Sequence, residues 1–391
     1  MCRPLRLPGN LQRGMPQNKT CLIIAQSGRA LAVSARMAGW TAHVLDRFSD
    51  QDTAAAALSC QSVSGTETGF LQDELLEKLS CYSEKSLLGV IYGSGLEAHY
   101  DVLEFLGRNW TLLGNDATVV RACKEPALFF PILSRLGIPF PPTCLKVPQD
   151  FNEEEKWIMK QTGASGGGHI RLLGAETGPT TEADVYYQKK LSGRSLSVVF
   201  LADTLNAIIV GMNETWTVAP GKNDFRYWGA MTEFNLADAI SQALLDIIRL
   251  LAREFGLKGL CGMDVIVDEY GECHVLEINP RPTATFELHQ TQQSLCEAHV
   301  LACQGKLLSL PPRPAFLQAH QVWYADRNFI MPDVAWPEWI SDRPYPGRCL
   351  KVNDPVCMVH AEAACEHDIK TLLQNRSATL MRLMGLQKLA A

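Results

Sequence analysis

Residues 259–282 read "GLCGMDVIVDEYGECHVLEINPRP", and few stretches of the chain leave the fold less freedom. Two runs rich in apolar and β-branched residues flank Asp268–Glu269–Tyr270–Gly271, the pattern of a β-hairpin. Side chains alternate along a strand, so Glu277 and Asn279 share one face and Ile278 takes the other. Pairing about the turn brings Asp264 opposite residues 275 to 277, next to Glu277. Pro280 ends the ladder and Arg281 follows it. Three hard oxygen donors without sulfur suit magnesium, which takes one or two carboxylates and leaves room for water and phosphate oxygens. The competing reading is a pair of solvent-facing carboxylates on an edge hairpin.

Upstream, "TCLIIAQSGRALAVSARMAGWTAHVLD" reads strand, turn, helix, strand, with Asp46 closing the second strand. This is the opening of a doubly wound parallel sheet, in which ligands sit beyond the strand C-termini. The turn holds one glycine rather than GxGxxG, so a dinucleotide site is disfavoured. A second unit, "LLGVIYGSGLEAHYDVLEFLG", predicts a strand over 87–92, a turn at Gly93–Ser94–Gly95 and a helix starting at Glu97. Its glycines serve either tight geometry or a small polar ligand at that helix N-terminus. "NWTLLGND" predicts one more short strand.

From residue 116 the texture changes. "DATVVRACKEPALFFPILSRLGIPFPPT" predicts one helical segment closed by Gly137. Lys124 lies in it, and a lone lysine at a helix edge is usually a snorkelling surface residue. "EEEKWIMKQTGASGGGHIRLL" gives strand, glycine loop, strand. Gly163, Ser165, Gly166, Gly167 and Gly168 leave the backbone free for close approach, and their amides can cradle phosphate oxygens, with Lys160 adding a point charge at the strand end. It is not a P-loop, since no GK[ST] ends it. A plain hairpin tip is the ordinary alternative. "ADVYYQKKLSGRSLSVVFLAD" predicts a strand, a Ser192–Gly193 turn and a second strand. "NLADAISQALLDIIRLLAREFGL" is a long amphipathic helix, and strands and a final helix follow a proline-rich break at 311–314. Lys222, Arg226 and Tyr227 in "APGKNDFRYWGA" are candidates for substrate recognition, with an ordinary surface loop as the alternative.

Composition closes several classes. With 391 residues, 47% hydrophobic and 20% charged, the chain can bury two or three cores. A net charge of −6 argues against a general nucleic-acid binder. Thirteen cysteines stand without a CxxC, which predicts reduced thiols, a cytoplasmic location and no thiolate-bound metal. No apolar run approaches the roughly 18 residues that span a bilayer. Residues 1–19, with three prolines and two glycines, predict a disordered tail rather than a targeting helix.

Two lysines, a glycine loop, a carboxylate/amide face and a trailing arginine, in this order, resemble the ATP-grasp superfamily over most of residues 20–305. "SGRALAVSARMAGW", "YGSGLE", "GNDATVVRACKEP" and "NDPVCMVHAEA" are similar to the biotin-carboxylase-related ATP-dependent carboligases of unassigned substrate, some of which accompany pterin or furan one-carbon cofactor pathways. The resemblance implies an α/β doubly wound parallel sheet at 20–115, a two-subdomain ATP-grasp fold at 116–310 (116–185 and 186–310) and a small C-terminal subdomain at 311–391. It implies that Lys124 and Lys160 contact ATP phosphates under the glycine loop, and that Gln188, Lys190 and Leu191 line the adenine. Asp264, Glu277 and Asn279 would hold magnesium or manganese, and Arg281 and Lys160 would serve the transferred phosphoryl group. Ser195 stands where relatives carry a ribose-binding Glu. The implied activity is a carboxylate–amine ligase working through an acyl phosphate on small-molecule substrates, with no nucleic acid or membrane partner; a homodimer stays open. The rivals are a biotin-type carboxylase using bicarbonate and an ATP-binding protein without catalysis.

Overall fold

The computed structural model describes residues 19–66, 68–148, 156–174, 184–219, 224–233, 235–310 and 314–386. The expected tail and Lys222 lie outside the described residues.

The first unit alternates strands and helices: β1 (Thr20–Ile24), α1 (Arg29–Met37), β2 (Thr41–Asp46), α2 (Gln51–Ala56), β3 (Ser59–Ser62), α3 (Gln72–Leu79), β4 (Val90–Tyr92), α4 (Tyr100–Asn109) and β5 (Leu112–Leu113). The strands pair in parallel in the order β3-β2-β1-β4-β5. Parallel strands covered on both faces read as continuous apolar runs, and Cys21 to Ile24 are all fully buried. The order reverses between β1 and β4, the place where a doubly wound sheet opens a crevice. There the Gln26 amide donates to the Ser94 carbonyl at 2.8 Å, joining the two turns. At the end of β2, Asp46 accepts the amides of Gly28, Phe48 and Ser49, which fixes the turn into α1. Burial raises its carboxyl to about 6.

The single helix expected after residue 116 is two, α5 (Ala117–Lys124) and α6 (Pro126–Leu136). Pro126 disfavours helical geometry at Glu125 and starts a new axis as the first residue of α6. Asp116 caps α5 by accepting the Val119 amide at 3.0 Å, and Gly137 ends α6 in the left-handed conformation. The expected helix start at Glu97 also moves. The helix begins at Tyr100, and Glu97 lies in the preceding turn, 2% exposed.

A small antiparallel sheet follows, formed by β6 (Thr143–Cys144), β7 (Trp157–Gln161), β8 (Arg171–Leu172) and β9 (Val185–Lys189) in the order β8-β7-β9-β6. The chain then crosses to an eight-stranded antiparallel sheet. It comprises β10 (Arg194–Asp203), β11 (Ala207–Ala219), β12 (Asp224–Thr232), β13 (Lys258–Val267), β14 (Cys273–Asn279), β15 (Leu317–Tyr324), β16 (Ile340–Ser341) and β17 (Pro355–Ala363), ordered β14-β13-β10-β11-β12-β15-β17-β16. The strands after residue 314 thus continue the central sheet. Helix α7 (Asp238–Phe255) buries Leu244, Ile248, Leu251, Ala252 and Phe255, a stripe at three- and four-residue spacing. With Phe129, Phe130 and Leu133 of α6 it covers the sheet face bearing Val198, Phe200, Met263 and Val265. The alternate residues Val199 and Leu201 pack instead with α8 (Leu295–Cys303) and the α1–β2 layer of the first unit. Period-two alternation therefore cements both layers to one sheet. The last helix, α9 (Glu366–Leu383), packs on the β15–β17 end. No helix among the described residues is long and apolar enough to cross a membrane.

Asn115 fastens the first unit to the hairpin. It is fully buried, accepts the Lys258 amide at 2.9 Å and donates to the carbonyls of Lys258 (3.0 Å) and Pro280 (2.9 Å). Asn115→Ala should cost about 1–3 kcal/mol, because the groups it satisfies stay buried. A denaturant midpoint lowered with unchanged slope would show it; an unmoved midpoint would count against the fastening.

Candidate functional site

The hairpin pairs as its sequence predicts, with Asp264 directly opposite Glu277. A bulge after this pair moves Val265 opposite Val275 and leaves Leu276 extra. Leu276 and Glu277 consequently both reach the cavity, while Val275 and Ile278 stay in the core. Asn279 sits at the centre. Its amide donates to Asp264 Oδ2 (3.1 Å) and Glu277 Oε1 (3.2 Å), and its oxygen accepts from Lys124 Nζ (2.7 Å) and Arg281 Nη2 (3.3 Å). Lys124 also reaches Glu277 Oε2 at 3.1 Å.

Lys124 is therefore no snorkelling residue: the turn that ends α5 aims it inward, with 7% of its surface exposed. Burial alone would raise the Glu277 carboxyl, but the charges of Lys124 and Lys160 outweigh it and hold Glu277 well below the carboxylate range. Asp264 moves the other way, raised by burial and then by the neighbouring Glu277 charge. Two adjacent carboxylates with opposed shifts offer hard oxygen donors that fit a divalent cation, and turning the Asn279 amide over would add its oxygen, which here faces Lys124 and Arg281.

Lys160 lies buried on β7 and donates to Gln188 Oε1 of β9 at 2.9 Å. Burial lowers its ammonium, against the pull of Glu277 and Asp264. Gln188 is fully buried and donates in turn to Thr143 Oγ1 at 3.2 Å. The glycine loop is a folded element rather than a loose tip. Gly163, Gly166 and Gly167 all have positive φ, a side chain at Gly167 would meet the Phe225 carbonyl, and Gly166 O accepts the Tyr227 amide at 2.9 Å. Lys190 and Leu191 lie on the link that passes from one sheet to the other, and both line the cavity. Ser195 hydrogen-bonds Thr215 at 2.8 Å.

Arg281 turns toward the first unit and pairs with Glu97 at 2.6 Å, both nearly buried. Burial would raise the Glu97 carboxyl, yet Arg281 and Lys124 lower it. Glu97 also accepts the Gly95 amide at 2.6 Å, so the anion held at this turn is the protein's own carboxylate and not a ligand at a helix N-terminus.

One cavity of about 1180 Å³ collects Lys124, Lys160, Gly163, Ser165, Gly166, Gly167, Gln188, Lys190, Leu191, Asp264, Glu277, Asn279 and Arg281. Gly168 is the expected loop residue that does not line it. Of the expected recognition segment, Tyr227 faces the cavity, while Arg226 is held by Asp224 and lies over the Tyr324 ring. Four further lining residues carried no sequence signal. Glu214 stands on β11 opposite Leu196 and pairs with Arg194, which also pairs with Glu233. Trp216 and Trp228 meet at 6.5 Å between ring centroids. His169 follows the loop, with a buried Nδ1 that has no partner among the described residues and an imidazole lowered to about 4 by burial.

Residues 124–285 match the model of the ATP-grasp domain family. A search of curated protein sequences gives no match. Among solved structures, the chain is similar to the biotin carboxylase domain of 2-oxoglutarate carboxylase from Hydrogenobacter thermophilus, in complex with MgADP and bicarbonate (13% identity, 88% of this chain and 86% of that one, TM-score 0.69). It is also similar to carboxyaminoimidazole ribonucleotide synthase from Aspergillus clavatus complexed with ATP (16% identity, 94% and 99%, TM-score 0.67). A third is L-amino acid ligase from Bacillus licheniformis (11% identity, 92% and 97%, TM-score 0.65). At these identities the likeness establishes the fold.

Gly167→Ala should free the loop, since the added methyl displaces the Phe225 carbonyl at a φ that side chains rarely adopt. Amide exchange at Tyr227 should rise, and Gly174→Ala, in open space, should leave it unchanged. Equal exchange in both variants would mean that the glycine contact does not hold the loop.

Proposed function

We propose that this chain, which carries an ATP-grasp domain, is an ATP- and magnesium-dependent ligase that joins a small carboxylate to an amine through an acyl phosphate. The observation that carries this reading is the facing of Lys124, Lys160 and the closed glycine loop across one cavity from Asp264, Glu277 and Asn279. The ATP and MgADP complexes of the similar structures, and the ligase among them, support it.

In this reading the phosphates take over Lys124 and Lys160, and Gly163 to Gly167 close above them. Gln188, Lys190 and Leu191 line the adenine, and Glu214 replaces the missing ribose-binding residue at Ser195. Asp264, Glu277 and, with its amide turned from Lys124, Asn279 would hold magnesium, which would neutralise charge on the phosphate oxygens. The substrate carboxylate attacks the γ-phosphorus, the bond to the bridging oxygen breaks, and ADP leaves. Arg281, held by Glu97, spreads the charge of the transferred group. The amine then attacks the acyl carbon, and phosphate departs. The chain's contribution is placement and charge, so no nucleophilic side chain is required.

Trp216 and Trp228 on the cavity wall fit an acceptor with a flat ring, which suits a place in pterin- or furan-type one-carbon cofactor assembly. The division into 20–115, 116–310 and 311–391, cytoplasmic residence and small-molecule partners belong to the same proposal.

The test is a screen of carboxylates and amines that scores ADP and phosphate release. Release dependent on an amine supports the ligase; release dependent on bicarbonate and biotin replaces it with a carboxylase, and nucleotide binding without release replaces it with a binder. Glu277→Gln should lower magnesium-dependent release by roughly 100-fold or more while circular dichroism stays native. Wild-type turnover in that variant sinks the metal assignment.

A further inference from the structure

Beside Tyr227, whose hydroxyl meets His320, the structure gathers a second polar cluster. His320 of β15 and His360 of β17 are direct cross-strand partners, so their side chains lie on one face at the distance of adjacent strands. Glu287, in the 3₁₀ turn Ala284–His289, reaches toward them from the chain after Arg281. Its Oε1 lies 3.0 Å from His320 Nδ1, and one ligand atom from each of Glu287, His320 and His360 falls within 4.8 Å of the others.

The outer atoms of all three groups are braced. His320 Nε2 lies 2.6 Å from the Tyr227 hydroxyl, His360 Nε2 lies 2.6 Å from Ser341 Oγ, and Glu287 Oε2 accepts from Arg29 Nη2 at 2.6 Å. Metal-bound histidines are held in this manner, the far nitrogen hydrogen-bonded; the near Nδ1 of His320 donates to Glu287 here and would give up that proton on binding an ion. Burial lowers the His360 imidazole to about 4. Glu287 stays ionised: burial would raise it, but Arg29 and the hydrogen bond from His320 hold it far below the carboxylate range.

The local charge does not balance. Arg29 lies within 4 Å of three carboxylates, Glu287, Asp342 and Asp52, so one cation faces three anions and the excess is two negative charges. Neighbouring Asp50 is already matched by Arg348. His320 is fully buried and Glu287 is 13% exposed, so water screens this excess poorly. One divalent cation would cancel it.

We propose that Glu287, His320 and His360 bind one divalent cation of the zinc class, at a site separate from the carboxylates Asp264 and Glu277. Two imidazoles and one carboxylate suit zinc, cobalt or nickel rather than magnesium, and three protein ligands leave a coordination position open. Tyr227, bonded to His320, and Gln321, next to it in the chain, line the main cavity. Once bound, the cation ties the 3₁₀ turn after Arg281 to β15 and β17 and fixes the tautomer of His320, hence the orientation of the Tyr227 hydroxyl at the cavity wall.

The full chain, stripped with a chelator and kept in excess magnesium, is titrated with cobalt(II) and with zinc. The expected result is one equivalent bound, with visible ligand-field bands and no thiolate charge-transfer band, since the donors are nitrogen and oxygen. His360→Asn and Glu287→Gln should weaken cobalt binding by roughly 10–100-fold, whereas Glu277→Gln should leave it unchanged. Absence of binding to the folded wild type, a thiolate spectrum, or unaltered affinity in both variants overturns the proposal. Should the variants fail to fold, anomalous diffraction from zinc-loaded wild-type crystals decides: a peak between the three side chains supports the site, and a peak elsewhere or none rejects it.

Discussion

Asp264 and Glu277 stand side by side on adjacent strands, and two carboxylates so placed cannot both ionise without cations beside them. Much of the architecture answers that demand. Helix α5 ends so that Lys124 points inward, β7 carries Lys160 under the glycine loop, and Pro280 stops the ladder so that Arg281 turns to Glu97. Three cations, Lys124, Lys160 and Arg281, balance three anions, Asp264, Glu277 and Glu97. These six residues come from the parallel unit, the linking helix, the small sheet and the central hairpin. The balance therefore holds only when the layers are assembled, which couples the site to the fold.

The balance also bears on the proposed chemistry. Buried ion pairs stabilise little on average, because desolvation offsets the Coulomb gain, but breaking one strands a charge. A site whose lysines and carboxylates neutralise one another can exchange partners at small net cost. Phosphates take the lysines while a divalent cation takes the carboxylates, and the total charge need not change sign. Arg281 stands apart from this exchange. Glu97, which is 2% exposed, holds it in either state and so keeps it aimed at the reacting end.

The sequence carried the hairpin well, because alternation, a four-residue turn and a terminal proline leave one register for Glu277 and Asn279. It carried the parallel unit for a similar reason: its strands are short apolar runs followed by turns that glycine marks. Legibility failed where a residue's role depends on a distant partner. Glu97 looked like a helix start because an acid after a Gly-Ser-Gly turn usually is one; only the arrival of Arg281, 184 residues later, shows why it is buried. Lys124 looks peripheral in a continuous helix; it turns inward because the helix breaks before Pro126, two residues on. The bulge that brings Leu276 to the cavity beside Glu277 has no signature in a pattern of alternating residues. Nor does Glu214, whose place depends on β11 pairing with β10.

The same limit explains why the cluster beside Tyr227 escapes the sequence. Arg29, Glu287, His320 and His360 span most of the chain, and no two lie at a ligand spacing within one element. His320 and His360 meet because β15 and β17 pair in one register, in which each histidine is the other's direct partner. Slipping that register by one residue would send one imidazole to the opposite face and dissolve the cluster. Register is fixed by the apolar residues that alternate with the histidines, Ala319 and Val359 among them, which pack into the core under α9. Burial of these neighbours thus decides the position of two imidazoles that the hydrophobic effect alone would exclude. It also places the cluster's excess negative charge one side chain, Tyr227, away from the cavity in which the proposed reaction occurs.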